Sequence, residues 1–347
     1  MKTVDIAEHL QRGLELHFGV IVMHGEEKYI FHCPVKIGYY QTSRNLDEII
    51  FNSMGVVRNL FGDNEHNKKP SDDDHRLLEK IEVLPGLQLS RALAAHWMDI
   101  ERTRLPFIKI DATPAARLSP LQSSFGYYPA LPKGFPYPTD AEGKFLYPLA
   151  QIRCSDLPPL AGFPANGYLQ FYISGGDVFG LDFNDGQSQK NFRVLFFEEE
   201  EVREHETNFD FLGLGDADRY NVPLYTPHSL SFQPQDDYVG VADIRFGRHE
   251  AFFIAIKEEH PAIADKLEEE MWRNFQGSGH KIGGYAYFTQ WDPRDDDGPV
   301  KDYILLFQMD TDAEIMWGDA GVGNFFIAPE DLAKKDFSRV LYNWDCG

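Results

Sequence analysis

Apolar positions in the first hundred residues change period more than once. Ile6, Leu10, Leu14 and Leu16 recur at helical spacing and predict a short amphipathic helix. The run FGVIVMHGEEKYIFHC (18–33) predicts a strand, a turn about Gly25, Glu26 and Glu27, and a second strand. Asn45 stands at the N-cap of a predicted helix, LDEIIFNSMGVVRNLF, with Glu48 three places on as its capping-box partner. Residues 62–75 are polar throughout and predict a mobile loop, and a helix is expected from Gln88 to Arg104, ending before Pro106. From residue 105 short apolar runs separated by Pro and Gly replace this texture: FIKIDA, FLYPLAQI, GYLQFYI and FRVLFF. The block EEEEVREHE (198–206) predicts a solvated loop. PAIADKLEEEMWRNF predicts a helix with Pro261 in its first turn and a buried face of Ile263, Leu267, Met271 and Phe275.

Two of these runs resemble each other. GYLQFYI (167–173) lies over GVGNFFI (321–327), which matches Gly167 with Gly321 and Gln170 with Asn324. Upstream, PLAQI falls on LLFQM and matches Gln151 with Gln308, and GYYP at Gly126 precedes the first as GYAY at Gly284 precedes the second. Three landmarks in the same order, at nearly the same spacing, predict an internal duplication too long for a solenoid repeat. The expected fold is α+β: a β-rich core of two similar halves, about 105–240 and 250–347, related by a pseudo-twofold axis, with residues 1–95 as a small separate α+β unit. In WGDAGVGNFFI (317–327) the glycines are then a turn and NFFI the start of a buried strand.

Charge narrows the partners. Asp and Glu number 55 against 33 Lys and Arg, a net charge of −22. Such a chain repels phosphate backbones, so no nucleic-acid partner is expected, whereas a basic protein partner fits. The three cysteines, Cys33, Cys154 and Cys346, form no CxxC pair and suggest neither a disulfide framework nor a thiolate metal site. The N-terminal MKTVDIAEHLQRG has no apolar core of a signal peptide, and no apolar run reaches the ~18 residues a spanning helix needs. These features lead to the expectation of a cytoplasmic protein without a membrane partner.

Motifs for chemistry are mostly missing. WGDAGVGN reads G-x-x-G-x-G, the wrong order for a dinucleotide loop, and it leads into a strand-like run. There is no phosphate-binding P-loop, no H-E-x-x-H and no G-x-S-x-G. In DPRDDDGPVKD, counting Gly298 as loop position six puts Pro293 and Ile304 where a calcium loop needs carboxylates. No metal and no cofactor are expected. The candidate ligand-binding residues are Gln151 and Gln308, polar within apolar runs, together with Arg294, Trp317, Asp319, Trp344 and Asp345. Indole beside carboxylate suits a cationic or hydroxylated small molecule. The same residue types also serve as turn caps and core fillers.

The segments LPKGFPYP, FLYPLAQI, FPANGYLQFYISGG, VFGLDFND, KIGGYAYFTQWDPR, LLFQMDTD, MWGDAGVGNFFI and FSRVLYNWDCG, spread from about residue 100 to residue 347, resemble the YwqG-like family of bacterial proteins. The resemblance implies a compact, internally duplicated α+β core and brings no catalytic residue. The leading expectation is a non-enzymatic binding protein, of which an immunity or antitoxin role against a basic toxin is one form. The alternative is a small-ligand-binding protein or hydrolase-type enzyme using the C-terminal carboxylate–Trp set. No motif assigns a reaction.

Overall fold

The computed structural model describes residues 70–214, 220–294 and 298–347, together with four strands nearer the N-terminus. Those strands, β1 (Lys2–Asp5), β2 (Glu15–Met23), β3 (Glu26–His32) and β4 (Tyr40–Ser43), form one antiparallel sheet in that order. β2 and β3 pair from His17–His32 to Met23–Glu26, as expected for a strand, turn and strand. Leu16 lies in β2 and not at the end of a helix. The rest of the expected first helix, and the one expected after Asn45, lie outside the described residues.

Two expectations before residue 105 need correction. Of the polar stretch 62–75, residues 62–69 lie outside the described residues and 72–75 are helical: α1 (Asp72–Leu77) starts after Ser71, whose hydroxyl accepts from Asp74 N while the Asp74 carboxylate accepts from Ser71 N. This reciprocal cap stabilises a helix that the polar composition concealed. The helix expected over 88–104 is instead a hairpin, β5 (Lys80–Leu84) and β6 (Leu87–Ser90), followed by α2 (Arg91–Ala95) and α3 (Trp97–Glu101). Ser90 stays extended and caps α2 through its hydroxyl, and His96 breaks the helical run at φ −104°, ψ 18°.

By contact density, residues 81–255 and 267–347 form one unit, and residues 1–80 with 256–266 another. The larger unit is mostly sheet. Its strands are β7 (Leu105–Pro114), β8 (Ser124–Phe125), β9 (Tyr147–Arg153), β10 (Tyr168–Ile173), β11 (Phe192–Phe197), β12 (His228–Asp237), β13 (Lys281–Gly283), β14 (Ile304–Asp310), β15 (Val322–Ile327) and β16 (Leu341–Asp345). They form a single ten-stranded sheet in the order β11-β10-β9-β8-β12-β7-β13-β14-β15-β16, with every neighbouring pair antiparallel. The long strands β7 and β12 pair at its centre, from Pro114–His228 to Leu105–Asp237.

The sheet curls into a half-barrel, because aromatic side chains on its inner face meet across strands that are far apart in sheet order. Phe171 of β10 lies 4.7 Å from Phe307 of β14 and 4.9 Å from Phe325 of β15, and Phe192 of β11 lies 5.1 Å from Tyr342 of β16. Each such ring contributes about 1.5–3 kcal/mol by leaving water, which favours the curl over a flat sheet. The outer face carries two smaller cores, one around Ala130, Tyr168 and Phe197, the other around Phe288, Leu305 and Phe326. Helices α4 (Ala251–Glu259), α5 (Ala264–Phe275) and α6 (Pro329–Ala333) complete the secondary structure used below. Ile263, Leu267, Met271 and Phe275 are buried, as their spacing predicts.

The two ends of the sheet are not left open. Tyr342 N on β16 donates to Gly186 O, and Val194 N on β11 donates to Gln189 Oε1. One segment, 186–189, thus covers backbone donors on both edge strands, which guards them against pairing with another chain.

Candidate functional site

Gln151 and Gln308 occupy the outer face of the sheet and are buried. Gln151 Oε1 accepts from Ala130 N at 2.6 Å, and its Nε2 donates to Pro120 O and Gln122 O at 2.7 and 2.9 Å. Gln308 Oε1 accepts from Tyr287 N at 2.8 Å, and its Nε2 donates to Gly277 O and Gly279 O at 2.9 and 2.7 Å. The three partners lie 21, 31 and 29 residues before each glutamine, in both cases. The neighbouring strand repeats the pattern: Gln170, opposite Gln151, donates to Ala130 O, and Asn324, opposite Gln308, donates to Tyr287 O. Each glutamine ties two passes of the covering loop to the sheet.

Arg294 is the centre of a buried ion network. It forks onto Asp292 (Nε to Oδ1 2.9 Å, Nη2 to Oδ2 2.6 Å), reaches Asp243 Oδ2 at 3.0 Å, donates to Tyr303 O, and lies over the Phe326 ring at 4.6 Å. Arg245 grips Asp243 from the other side at 2.7 and 2.6 Å. Burial alone would raise the Asp243 pKa, but the Arg245 hydrogen bonds and the charges of Arg294 and Arg245 outweigh it and hold the carboxyl at about 2. Nearby on β13, the buried Lys281 pairs with Asp237 at 2.7 Å, and burial pushes its ammonium below the usual lysine range. His280 accepts from Asp310 N at Nδ1, which leaves Nε2 to donate to Asp312 at 3.1 Å. Burial holds the Asp310 carboxyl above its usual range.

The C-terminal candidates divide. Trp317 is fully buried and its ring centroid lies 6.2 Å from that of Trp344, whose indole donates to Val178 O. Asp345 is buried and accepts from Thr289 N, Thr289 Oγ1 and Gln290 N; burial nevertheless raises its pKa above the ordinary carboxylate value. Asp319 is exposed, and no hydrogen bond or ion pair links it to Asp345 among the described residues. The glycines around Trp317 make room for it. A Cβ on Gly323 would stand 2.5 Å from the indole ring, and one on Gly321 would meet Asp345 O. Gly323→Ala is therefore expected to destabilise the protein by about 1–3 kcal/mol through overpacking. Thermal unfolding should register this loss, and Trp317→Phe in the same chain should recover part of it.

Three open cavities lie among the described residues. One of about 500 Å³ includes Asp140, Glu142, Lys144, Tyr220 and Asn221. A second, about 290 Å³, is walled by Pro158, Pro159 and Pro164 and reaches Cys154, whose thiol burial pushes up to about 12, too high for a nucleophile at neutral pH. The third, about 330 Å³, runs along β11 where the curled sheet brings its edge close to the segment after α6, and holds Arg193, Phe196, Lys335 and Phe337. Arg193 and Lys335 escape a reading of the sequence because nothing local marks them: they converge only when the sheet curls. Among the described residues no group of three or more His, Cys, Asp or Glu side chains is placed to hold a metal ion, and no helix is long and apolar enough to cross a membrane.

A comparison with curated proteins finds no significant match. The sequence profile described as Domain of unknown function (DUF1963) matches residues 123–346, from just ahead of β8 through β16. That is well over half of the 347 residues, and the chain belongs to the DUF1963 family.

Proposed function

We propose that the protein is a non-enzymatic binding protein, built by duplication of one module, whose acidic surface docks a basic protein partner. The observation that carries this reading is where the carboxylates sit. Of the described ones only Asp243, Glu270, Asp310, Asp331 and Asp345 are buried, and each accepts a hydrogen bond or ion pair within the fold. Asp237 and Asp292 are largely covered by Lys281 and Arg294, and most of the other described acids lie at or near the surface of a chain with net charge −22. An excess of this size steers a basic surface over distances up to a Debye length. An immunity or antitoxin role against a basic toxin is one form this takes. The hydrolase alternative needs Asp319 and Asp345 at one pocket; Asp345 instead caps the chain at Thr289 and Gln290.

Duplication is supported by the equal offsets of the glutamine partners and by strand order. Taken in sequence, β7 to β11 and β12 to β16 are two five-strand sets, which moves β12 out of the half expected at 105–240 and into the second half, and the first strand of each set pairs with the second strand of the other. A pseudo-twofold axis between β7 and β12 relates them. Residues 1–95 then form an added module on a YwqG-like core, and the free thiols Cys154 and Cys346 suit a reducing cytoplasm.

The purified chain, immobilised and exposed to lysate of its source cells at low salt, should retain a basic polypeptide that 0.5–1 M salt, at roughly 3–4 Å screening length, releases. Recovery of no basic polypeptide at low salt overturns the reading.

A further inference from the structure

The cavity along β11 is a cationic spot in a strongly acidic protein, and its two cations are differently placed. Lys335 forms a salt bridge with Glu198, and its ammonium lies 5.0 Å from the centre of the Phe196 ring. Arg193 is half-buried and its guanidinium has no hydrogen bond or ion pair among the described residues, although acids outnumber bases in the chain by 22. A guanidinium left without a carboxylate in such surroundings is a vacant anion partner: its planar fork of N–H groups fits two oxygens of a carboxylate or phosphate side by side.

The floor is aromatic. Phe196 and Phe337 stack with centroids 5.7 Å apart and ring planes 22° from parallel. Gln189 shapes the wall, since Oε1 accepts from Val194 N and Nε2 donates to Phe337 O at 2.6 Å, which clips the 335–338 segment to the edge strand. The segment carries backbone strain beside the cavity. Lys335 is not glycine yet has φ 55°, a left-handed conformation that costs an ordinary residue about 1–2 kcal/mol. It ends α6: Lys335 N donates to Leu332 O and Asp336 N to Asp331 O, the left-handed cap that commonly closes a helix, and it fixes where the Lys335 side chain leaves the chain. The volume, about 330 Å³, admits one small ring system with a substituent.

We propose that this cavity binds a small ligand made of a flat apolar ring and a single carboxylate or phosphate, the anion on Arg193 and the ring against Phe196 and Phe337. The site is independent of the docking surface proposed above: it uses positive charge where that surface uses negative. The net negative charge of the chain opposes capture of free anions, so the aromatic floor must supply part of the affinity, and a bare inorganic anion binds poorly.

The test uses the full chain and four probes, benzoate, phenyl phosphate, benzyl alcohol and inorganic phosphate, followed by isothermal titration and by melting temperature. Benzoate or phenyl phosphate should bind saturably, at least about tenfold more tightly than either benzyl alcohol or inorganic phosphate, as expected if charge-assisted bonds and ring burial both contribute. The tighter of the two identifies the oxyanion as carboxylate or phosphate. Arg193→Gln, at a half-exposed position, should keep the melting temperature of the free protein and weaken the better probe by about tenfold or more. Phe196→Leu should weaken it too while leaving inorganic phosphate unaffected. Saturable binding by neither aromatic anion overturns the proposal, as does equal binding by Arg193→Gln, or benzyl alcohol or inorganic phosphate matching the tighter of the two aromatic anions.

Discussion

Arg294→Met lowers stability by about 3–5 kcal/mol, the usual result of removing one partner from a buried ion pair. The cause is what it leaves behind. Asp292 loses the only cation that contacts it among the described residues, and Asp243 keeps Arg245 but loses its second partner. The carbonyl of Tyr303 loses a donor, and the Phe326 ring loses the cation above it. Arg294→Lys recovers only part, because a lysine ammonium cannot make the forked contact to Asp292 while also reaching Asp243 and Tyr303. Asp292→Asn in the Arg294→Met background should be less destabilised than Arg294→Met alone, since the orphaned charge is gone. Urea unfolding followed by tryptophan fluorescence measures all three. A loss under about 1 kcal/mol, the range of surface pairs, would show that the network adds little. The same network predicts a pH response. Asp243 is held at about 2 when folded, below the ordinary carboxylate value of about 3.9 in the unfolded chain. Its stabilising contribution is thus complete above about pH 4 and is lost as pH falls through about 2. In Arg294→Met that loss begins at higher pH, because one of the charges depressing the pKa is absent.

What the sequence revealed and what it hid follow from the range of the interactions. The strands bearing Gln151 and Gln308 were legible because each is an apolar run between charged residues, Lys144 and Arg153 in one and Asp302 and Asp310 in the other, and the amides stand out within it. Arg294 stood out as a candidate, and Asp292 lies only two residues from it, but Asp243 joins them from 51 residues away and carries no mark in its own neighbourhood. The placement of β12 between β8 and β7 was equally hidden: alternation along a strand says which face is buried and nothing about which strand lies alongside. At residues 88–104, helical propensity was read across a serine cap and a break at His96 that divide the stretch into three elements. The cavity along β11 had no signature because its walls come from residues 189–196 and 335–338, which meet through the curl of the sheet.

Gln151→Leu and Gln308→Leu should each destabilise the protein by about 2–4 kcal/mol, because each strands one N–H and two carbonyls that the buried amide had satisfied, at up to about 1–3 kcal/mol per group and less where water reaches it. Leucine matches the volume, so packing loss stays small and the effect isolates the hydrogen bonds. The first half should suffer somewhat more. Gln151 Oε1 also accepts from Gln170 Nε2 at 2.9 Å, whereas Asn324, one methylene shorter, leaves its own Oδ1 without a partner. Gln308→Glu is the sharper variant at neutral pH. A carboxylate can still accept from Tyr287 N but faces the carbonyls of Gly277 and Gly279 with no proton to give. Its folded pKa must therefore rise, and acidification toward pH 5 should restore stability to Gln308→Glu while doing little for Gln308→Leu. Chemical unfolding of the three variants, at pH 7 and pH 5, reads each of these outcomes. Two glutamines with partners at the same three sequence offsets should respond alike if they descend from one residue in one ancestral module. If Gln308→Leu unfolds the protein while Gln151→Leu is neutral, the two knots are not equivalent and the duplication loses its strongest support.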